Sequence, residues 1–244
     1  MPSRSICTLL QKLWDWGKEK LTPEKLKNTF ILAEVYSHKT GFHVAANYGK
    51  RAQKLWVWGK EELTPKVLKD TFLSAKSGEI TAFHYATLQA NTEALYDMWE
   101  CAKENLTKEE LNCELLLAID SMGRKAWHNA VDKGHIELLE TLWEWAKEEL
   151  NTDELKNNLL LGKDYKNWTA SHRAARMGKI KELLKLWESA KQELPTEELH
   201  NRFRLATDDK EQTDRHGVIE KGNTEILQVI CDCPKKELNT RGVI

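Results

Sequence analysis

Between residues 136 and 150 the apolar side chains Leu139, Leu142, Trp143, Ala146 and Leu150 recur at steps of 3, 1, 3 and 4, with Glu and Lys between them. That spacing predicts an amphipathic helix with one buried face. The same stripe returns along the chain as Leu13-Trp14, Leu55-Trp56, Met98-Trp99, Leu142-Trp143 and Leu186-Trp187, with the tryptophans 42, 43, 44 and 44 residues apart. A tryptophan held at one place on an apolar stripe belongs to the core. A second aromatic, Trp16, Trp58 or Trp145, follows two residues later and becomes Cys101 or Ser189 elsewhere. It is expected to pack sideways against the segment that comes next.

That segment reads Leu21-Thr22-Pro23, Leu63-Thr64-Pro65 and Leu106-Thr107-Lys108, where a threonine followed by proline or a helix former marks a helix start. A third, short helix is therefore predicted in each period. It ends in apolar runs such as Phe30-Ile31-Leu32-Ala33, Leu115-Leu116-Leu117-Ala118 and Leu159-Leu160-Leu161-Gly162.

Histidines keep the same beat: His43, His84, His128, His172 and His216 lie 41, 44, 44 and 44 residues apart. Thr81 and Thr169, three residues before a histidine, are predicted N-caps to which the imidazole reaches back. Six residues after the histidine stand Gly49, Ala90, Gly134, Gly178 and Gly222, where a tight turn into the next helix favours glycine. Ala90 implies a mildly strained turn. No one period can bury both its faces, so periods are expected to stack on their neighbours.

The segment Lys125-Ala126-Trp127-His128-Asn129-Ala130, followed by Lys133-Gly134-His135, with Asp120 and Gly123 upstream, resembles the ankyrin repeat. The resemblance implies an all-α fold, an α-solenoid of about five helix–turn–helix repeats with β-turn connections, lengthened here by the inserted helix. Ala82, Ala126 and Ala170 stand where the family has proline, and the unit exceeds the family's length of about 33 residues. The period divides a single expected domain, 1–244, into a partial unit at 1–34, units at 35–75, 76–119, 120–163 and 164–207, and a degenerate cap at 208–244. The last has Gly217 inside its first helix and no tryptophan afterwards.

Comparing the repeats with one another separates fixed positions from free ones. By the resemblance, the free ones on turn tips and first-helix ends line a concave binding face. They are Tyr36, Lys39, Asn47 and Tyr48; Leu88 and Gln89; Met122, Arg124, Asp132 and Lys133; and Tyr165, Lys166, Trp168, Arg176 and Met177. Trp168 replaces Lys39, Ile80, Arg124 and Gln212 of the other repeats, so it has no shared core duty. It is either a binding anchor or packs on the neighbouring turn.

Composition narrows the function classes. Lys and Arg total 37 against 38 Asp and Glu, a net charge of -1, without the basic excess that phosphate neutralisation favours. The odd count of 5 cysteines, Cys7, Cys101, Cys113, Cys231 and Cys233, argues against a disulfide framework and for a reducing, intracellular setting. No apolar run suits a signal peptide or membrane helix. Cys231-Asp232-Cys233 lacks a second ligand pair for zinc, and equivalent histidines on stacked helices are too far apart to share an ion. Neither Gly-x-Ser-x-Gly, a P-loop, Gly-x-Gly-x-x-Gly nor His-Glu-x-x-His occurs. The expectation is a monomeric, cofactor-free scaffold that binds a protein partner. Two alternatives stay open: a nucleic-acid or phosphoinositide reader using Lys39, Arg124, Lys133, Lys166, Arg173 and Arg176 as a basic stripe, and an enzyme outside the known motifs.

Overall fold

The computed structural model describes residues 3–31, 34–35, 39–40, 43, 46, 53–68, 76–77, 80–199, 201, 206–220 and 222, with the backbone alone at 3–10, 34–35, 39–40, 53–56, 65, 68 and 76–77. It is mostly helical with almost no strand, an all-α protein. Among the described residues no helix is long and apolar enough to cross a membrane. The chain falls into two compact units, Met1–Asn129 and Ala130–Ile244, with the boundary inside the helix Ala126–Lys133.

In the first unit the long helices are Ser3–Lys20, Gln53–Glu62 and Thr92–Asn105. Each is followed by the short helix that the Thr-Pro signals predict: Pro23–Leu26, Pro65–Leu68 and Lys108–Leu111. Thr22 and Thr64 accept backbone amides at Lys25 and Val67. Thr107 and Glu110 form a reciprocal capping box. The sequence pattern does not reveal what comes next. Two of these short helices widen into π-helical turns, Lys27–Ile31 and Asn112–Leu116, the latter closed by a bond of 2.8 Å from the Leu117 amide to the Asn112 carbonyl. The wide turn leaves the consecutive Leu115 and Leu116 both inside.

The core of this unit is aromatic. Trp14 and Trp58 stack face to face at 4.4 Å, and Phe30 meets Trp14 edge-on at 5.9 Å. The inserted helix passes close to Gly17, since an added Cβ would come within 2.7 Å of Leu26 Cδ1. The sideways packing expected of the second aromatic holds for Trp58, 5% exposed, but against a tryptophan of the previous repeat. It fails for Trp16. That ring is 52% exposed because the inserted helix meets the face that carries Trp14 and Gly17 and leaves the Trp16 face uncovered.

The second unit runs through the helices Ile136–Glu149, Ala170–Met177, Ile180–Glu193, Thr196–Glu198 and Asp214–Glu220, with a π-helical stretch at Glu154–Leu160. Asn151 and Glu154 exchange the bonds of a second capping box before that stretch. Leu139, Leu142, Trp143, Ala146 and Leu150 are all buried, as their spacing requires, and so are Leu183, Leu186, Trp187 and Ala190. The expected glycine turns are present, with φ of 74° at Gly134, 68° at Gly178 and 67° at Gly222. Ala90, in the first unit, takes φ 50° at the same place and is the strained member of the set.

Candidate partner-binding surface

The connecting turns are built on a repeated carboxylate. Asp120 Oδ1 accepts the amides of Met122 and Arg124 at 2.9 and 3.0 Å. Asp164 Oδ1 accepts those of Lys166 and Trp168 at 2.8 and 3.0 Å, and Asp208 Oδ1 those of Lys210 and Gln212 at 2.8 and 2.9 Å. A short side-chain acceptor is what lets aspartate hold such a turn. In each turn the aspartate amide also donates to the carbonyl of the residue four positions on. The left-handed residue of each is Gly123, Asn167 or Glu211. Burial pushes the carboxyls of Asp120 and Asp208 up, but the bonds they accept outweigh it and hold both below the usual carboxylate value.

Two earlier connections use strands instead. Glu34–Val35 pairs antiparallel with Lys39–Thr40, and Lys76–Ser77 with Ile80–Thr81.

A histidine closes the base of the next turn from the previous repeat. His84 Nε2 donates to the carbonyls of Ala118 and Arg124 at 3.1 and 3.2 Å, while its Nδ1 lies 2.7 Å from the Thr81 hydroxyl. The carbonyls require the proton on Nε2, so Nδ1 accepts from Thr81, whose oxygen in turn accepts the His84 amide. Burial drives the His84 pKa down to about 4, opposed by the Asp120 charge and the two carbonyls, so the ring is neutral. In the second unit His172 repeats the geometry, with Nε2 at 2.9 Å from the Ala206 carbonyl and Nδ1 at 2.7 Å from the Thr169 hydroxyl. Lys125 and Thr213 donate their amides to His128 and His216 in the same way. His84, His128 and His172 are buried and hold the fold, whereas His216 is exposed.

What the turns display outward differs from repeat to repeat. Met122 in the first unit and Tyr165, Lys166 and Met177 in the second are exposed, Tyr165 at 68%. Gln89 and Lys133 are exposed as well, and Leu88, Arg124 and Asp132 are half-buried. Of the other expected contacts, Tyr36, Asn47 and Tyr48 lie outside the described residues, as do Cys231 and Cys233, and Lys39 is described only as strand backbone.

Trp168 and the arginines behave differently from a free anchor. The Trp168 indole donates to Asp208 Oδ2 at 3.1 Å, tying one turn to the next. Lys166, Arg173 and Arg176 lie 5.3, 5.6 and 4.9 Å from its ring centroid. Arg173 is buried, forked onto Asp132 and bonded to Asp164 at 2.6 Å. Arg176 bonds Gln212 and approaches Asp208 and Glu220 at 3.9 and 3.8 Å. Arg124 pairs with its own Asp120 at 2.8 Å. Three of the six cations in the expected basic stripe are thus neutralised by carboxylates beside them; of the other three, Lys133 and Lys166 are exposed and Lys39 is described by its backbone alone.

Ile219, 60% exposed, was not among the expected contacts. Its register position carries Ala46, Thr87, Val131 and Ala175 in the other repeats, all buried where the structure describes them, so the pattern hid it. Among the described residues no three His, Cys, Asp or Glu converge as metal ligands do. An open depression of about 500 Å³ is lined by Asn151, Asp153, Glu154, Asn157 and Asn158. Compared with known proteins, the chain matches no family model and no curated protein sequence.

Proposed function

We propose that the chain is an ankyrin-like repeat scaffold that binds a protein partner and does no chemistry of its own. The observation that carries this reading is the contrast within each turn. Asp120 and Asp164 are buried and engaged with the backbone, while the adjoining tip residues, Met122 in one case and Tyr165 with Lys166 in the other, point outward and differ. Groups that recur hold the turn. Groups that vary are left for contact, and exposed Met and Tyr at the ends of rigid turns suit protein interfaces. Met177, at the end of a first helix, adds to the same set in the second unit.

The test compares the intact chain with a Tyr165→Ser, Met177→Ser variant as baits, after urea unfolding shows equal stability. The reading expects proteins captured by the intact chain to drop about tenfold on the variant, a loss of about 1.4 kcal/mol. Equal capture by both baits removes this surface. Capture that vanishes between 50 and 200 mM salt together with bound nucleic acid would favour the phosphate-reading alternative.

A further inference from the structure

The helix Ser3–Lys20 shows to solvent two residues that the other repeats bury wherever their side chains are described. One place before the core tryptophan stand Met98, Leu142 and Leu186, all buried, yet Leu13 at the same place is 42% exposed. Two places after it stand Trp58, Cys101, Trp145 and Ser189, all buried, yet Trp16 is 52% exposed. Residues three apart are neighbours on a helix surface, so Leu13 and Trp16 form one bare apolar face.

Inside the first unit the equivalent face is covered by the long helix of the repeat before it. Trp58 lies flat on Trp14 at 4.4 Å, and Lys18 reaches across to Glu62 at 3.0 Å. Lys60 approaches Glu104 in the same way at 3.8 Å. One repeat thus meets the next through an apolar contact with a Lys–Glu pair beside it. Among the described residues no helix precedes Ser3–Lys20 to supply such a cover. The face nevertheless carries the same ingredients. Lys12 and Glu19, both exposed, stand at its two ends, about 10 Å apart along the helix. Glu19 pairs only with the adjacent Lys20, at 2.6 Å and in full view of water, a contact it can exchange at little cost.

We propose that two copies of the chain associate through this face, with their helices Ser3–Lys20 antiparallel about a two-fold axis close to Trp16. A two-fold contact uses the same patch on both copies, so the patch must complement itself. Antiparallel pairing meets that demand, because it sets Lys12 of each copy beside Glu19 of the other and brings the two Trp16 rings together over Leu13. Parallel pairing fails it, since Lys12 would oppose Lys12 and Glu19 would oppose Glu19. The contact repeats between copies what Trp14, Trp58, Lys18 and Glu62 do between repeats. Two helices make a small interface, so a Kd of about 100 μM is expected, and at a few micromolar the chain stays a monomer. The pairing is independent of the partner-binding reading, which concerns the turns.

Sedimentation equilibrium of the full chain between about 5 and 500 μM tests the pairing, with circular dichroism showing that each variant is folded. The wild type is expected to move from the mass of one chain toward twice that mass. Trp16→Ser is expected to weaken association at least about tenfold. Lys12→Glu and Glu19→Lys are each expected to weaken it about fivefold, and the double variant Lys12→Glu, Glu19→Lys to return within about twofold of the wild type, because the exchange restores both cross-copy pairs. A wild type that stays at the mass of one chain overturns the pairing and leaves the face to a helix of a different protein. Association that survives Trp16→Ser overturns it in favour of another surface. A double variant no tighter than the single ones overturns the antiparallel arrangement and the proposal with it.

Discussion

The imidazole Nε2–H of His84 donates a hydrogen bond to the carbonyl of Ala118, 34 residues further on, at 3.1 Å. One ring therefore caps its own helix through Thr81 and fastens the following turn. The neutral form is the one that fits, and a folded-state pKa of about 4 against 6.5 for a free ring makes protonation unfold the contact. A depressed histidine pKa contributes stability that is whole above 6.5 and is lost as pH falls toward 4. Urea midpoints of the wild type are expected to drop between pH 7 and pH 4.5 by more than those of His84→Gln, with a difference of up to about 3 kcal/mol at the acid end. Equal slopes would place the acid sensitivity elsewhere.

Arg173 links the aspartates of two neighbouring repeats inside the second unit, bonding Asp164 at 2.6 Å and forking onto Asp132. Removing the guanidinium leaves two carboxylates facing each other across a buried gap. Arg173→Ala is expected to lose about 3–5 kcal/mol in urea unfolding, the usual cost of breaking a buried pair from one side. A loss below about 1 kcal/mol would mean that water replaces the arginine.

Tryptophans two residues beyond the core ring are not equivalent. Trp58 stacks on Trp14 at 4.4 Å, whereas Trp16 is 52% exposed. Trp58→Ala is expected to cost about 3–5 kcal/mol by calorimetry, while Trp16→Ala stays within about 0.5 kcal/mol. Similar losses at both sites would show Trp16 to be covered in solution.

Backbone handedness gives a cleaner pair. Gly178, at φ 68°, has open space where a Cβ would stand, so Gly178→Ala isolates the cost of the left-handed turn, about 1 kcal/mol. Ala90 already bears that strain at φ 50°, and Ala90→Gly is expected to raise the thermal midpoint. A midpoint lowered by Ala90→Gly would contradict the strain.

Much of this was legible in the sequence because the same physics acts at every repeat. Thr169 with His172, the glycine turns and the leucine and tryptophan stripe each declare themselves by returning at a fixed interval. Features belonging to single repeats were harder to read. Trp168 stood out as unmatched, which is equally what a binding anchor or an internal tie looks like, and its bond to Asp208 is invisible in a linear pattern. Arg124, Arg173 and Arg176 read as a stripe of positive charge because a linear pattern does not show the carboxylates folded against them. The π-helical turns escaped notice because paired leucines such as Leu159-Leu160 suit an ordinary helix end equally well.

Asp164 and Tyr165 are neighbours in one turn and divide its two roles between them. Asp164 is 6% exposed, accepts the Lys166 and Trp168 amides and pairs with Arg173, while Tyr165 stands 68% exposed. Urea unfolding of Asp164→Ala and Tyr165→Ala, side by side, asks whether recurring residues hold the fold and varying ones are free. The expected result is a loss above about 2 kcal/mol for Asp164→Ala and a change within about 0.5 kcal/mol for Tyr165→Ala. Equal losses, or the reverse order, would contradict it.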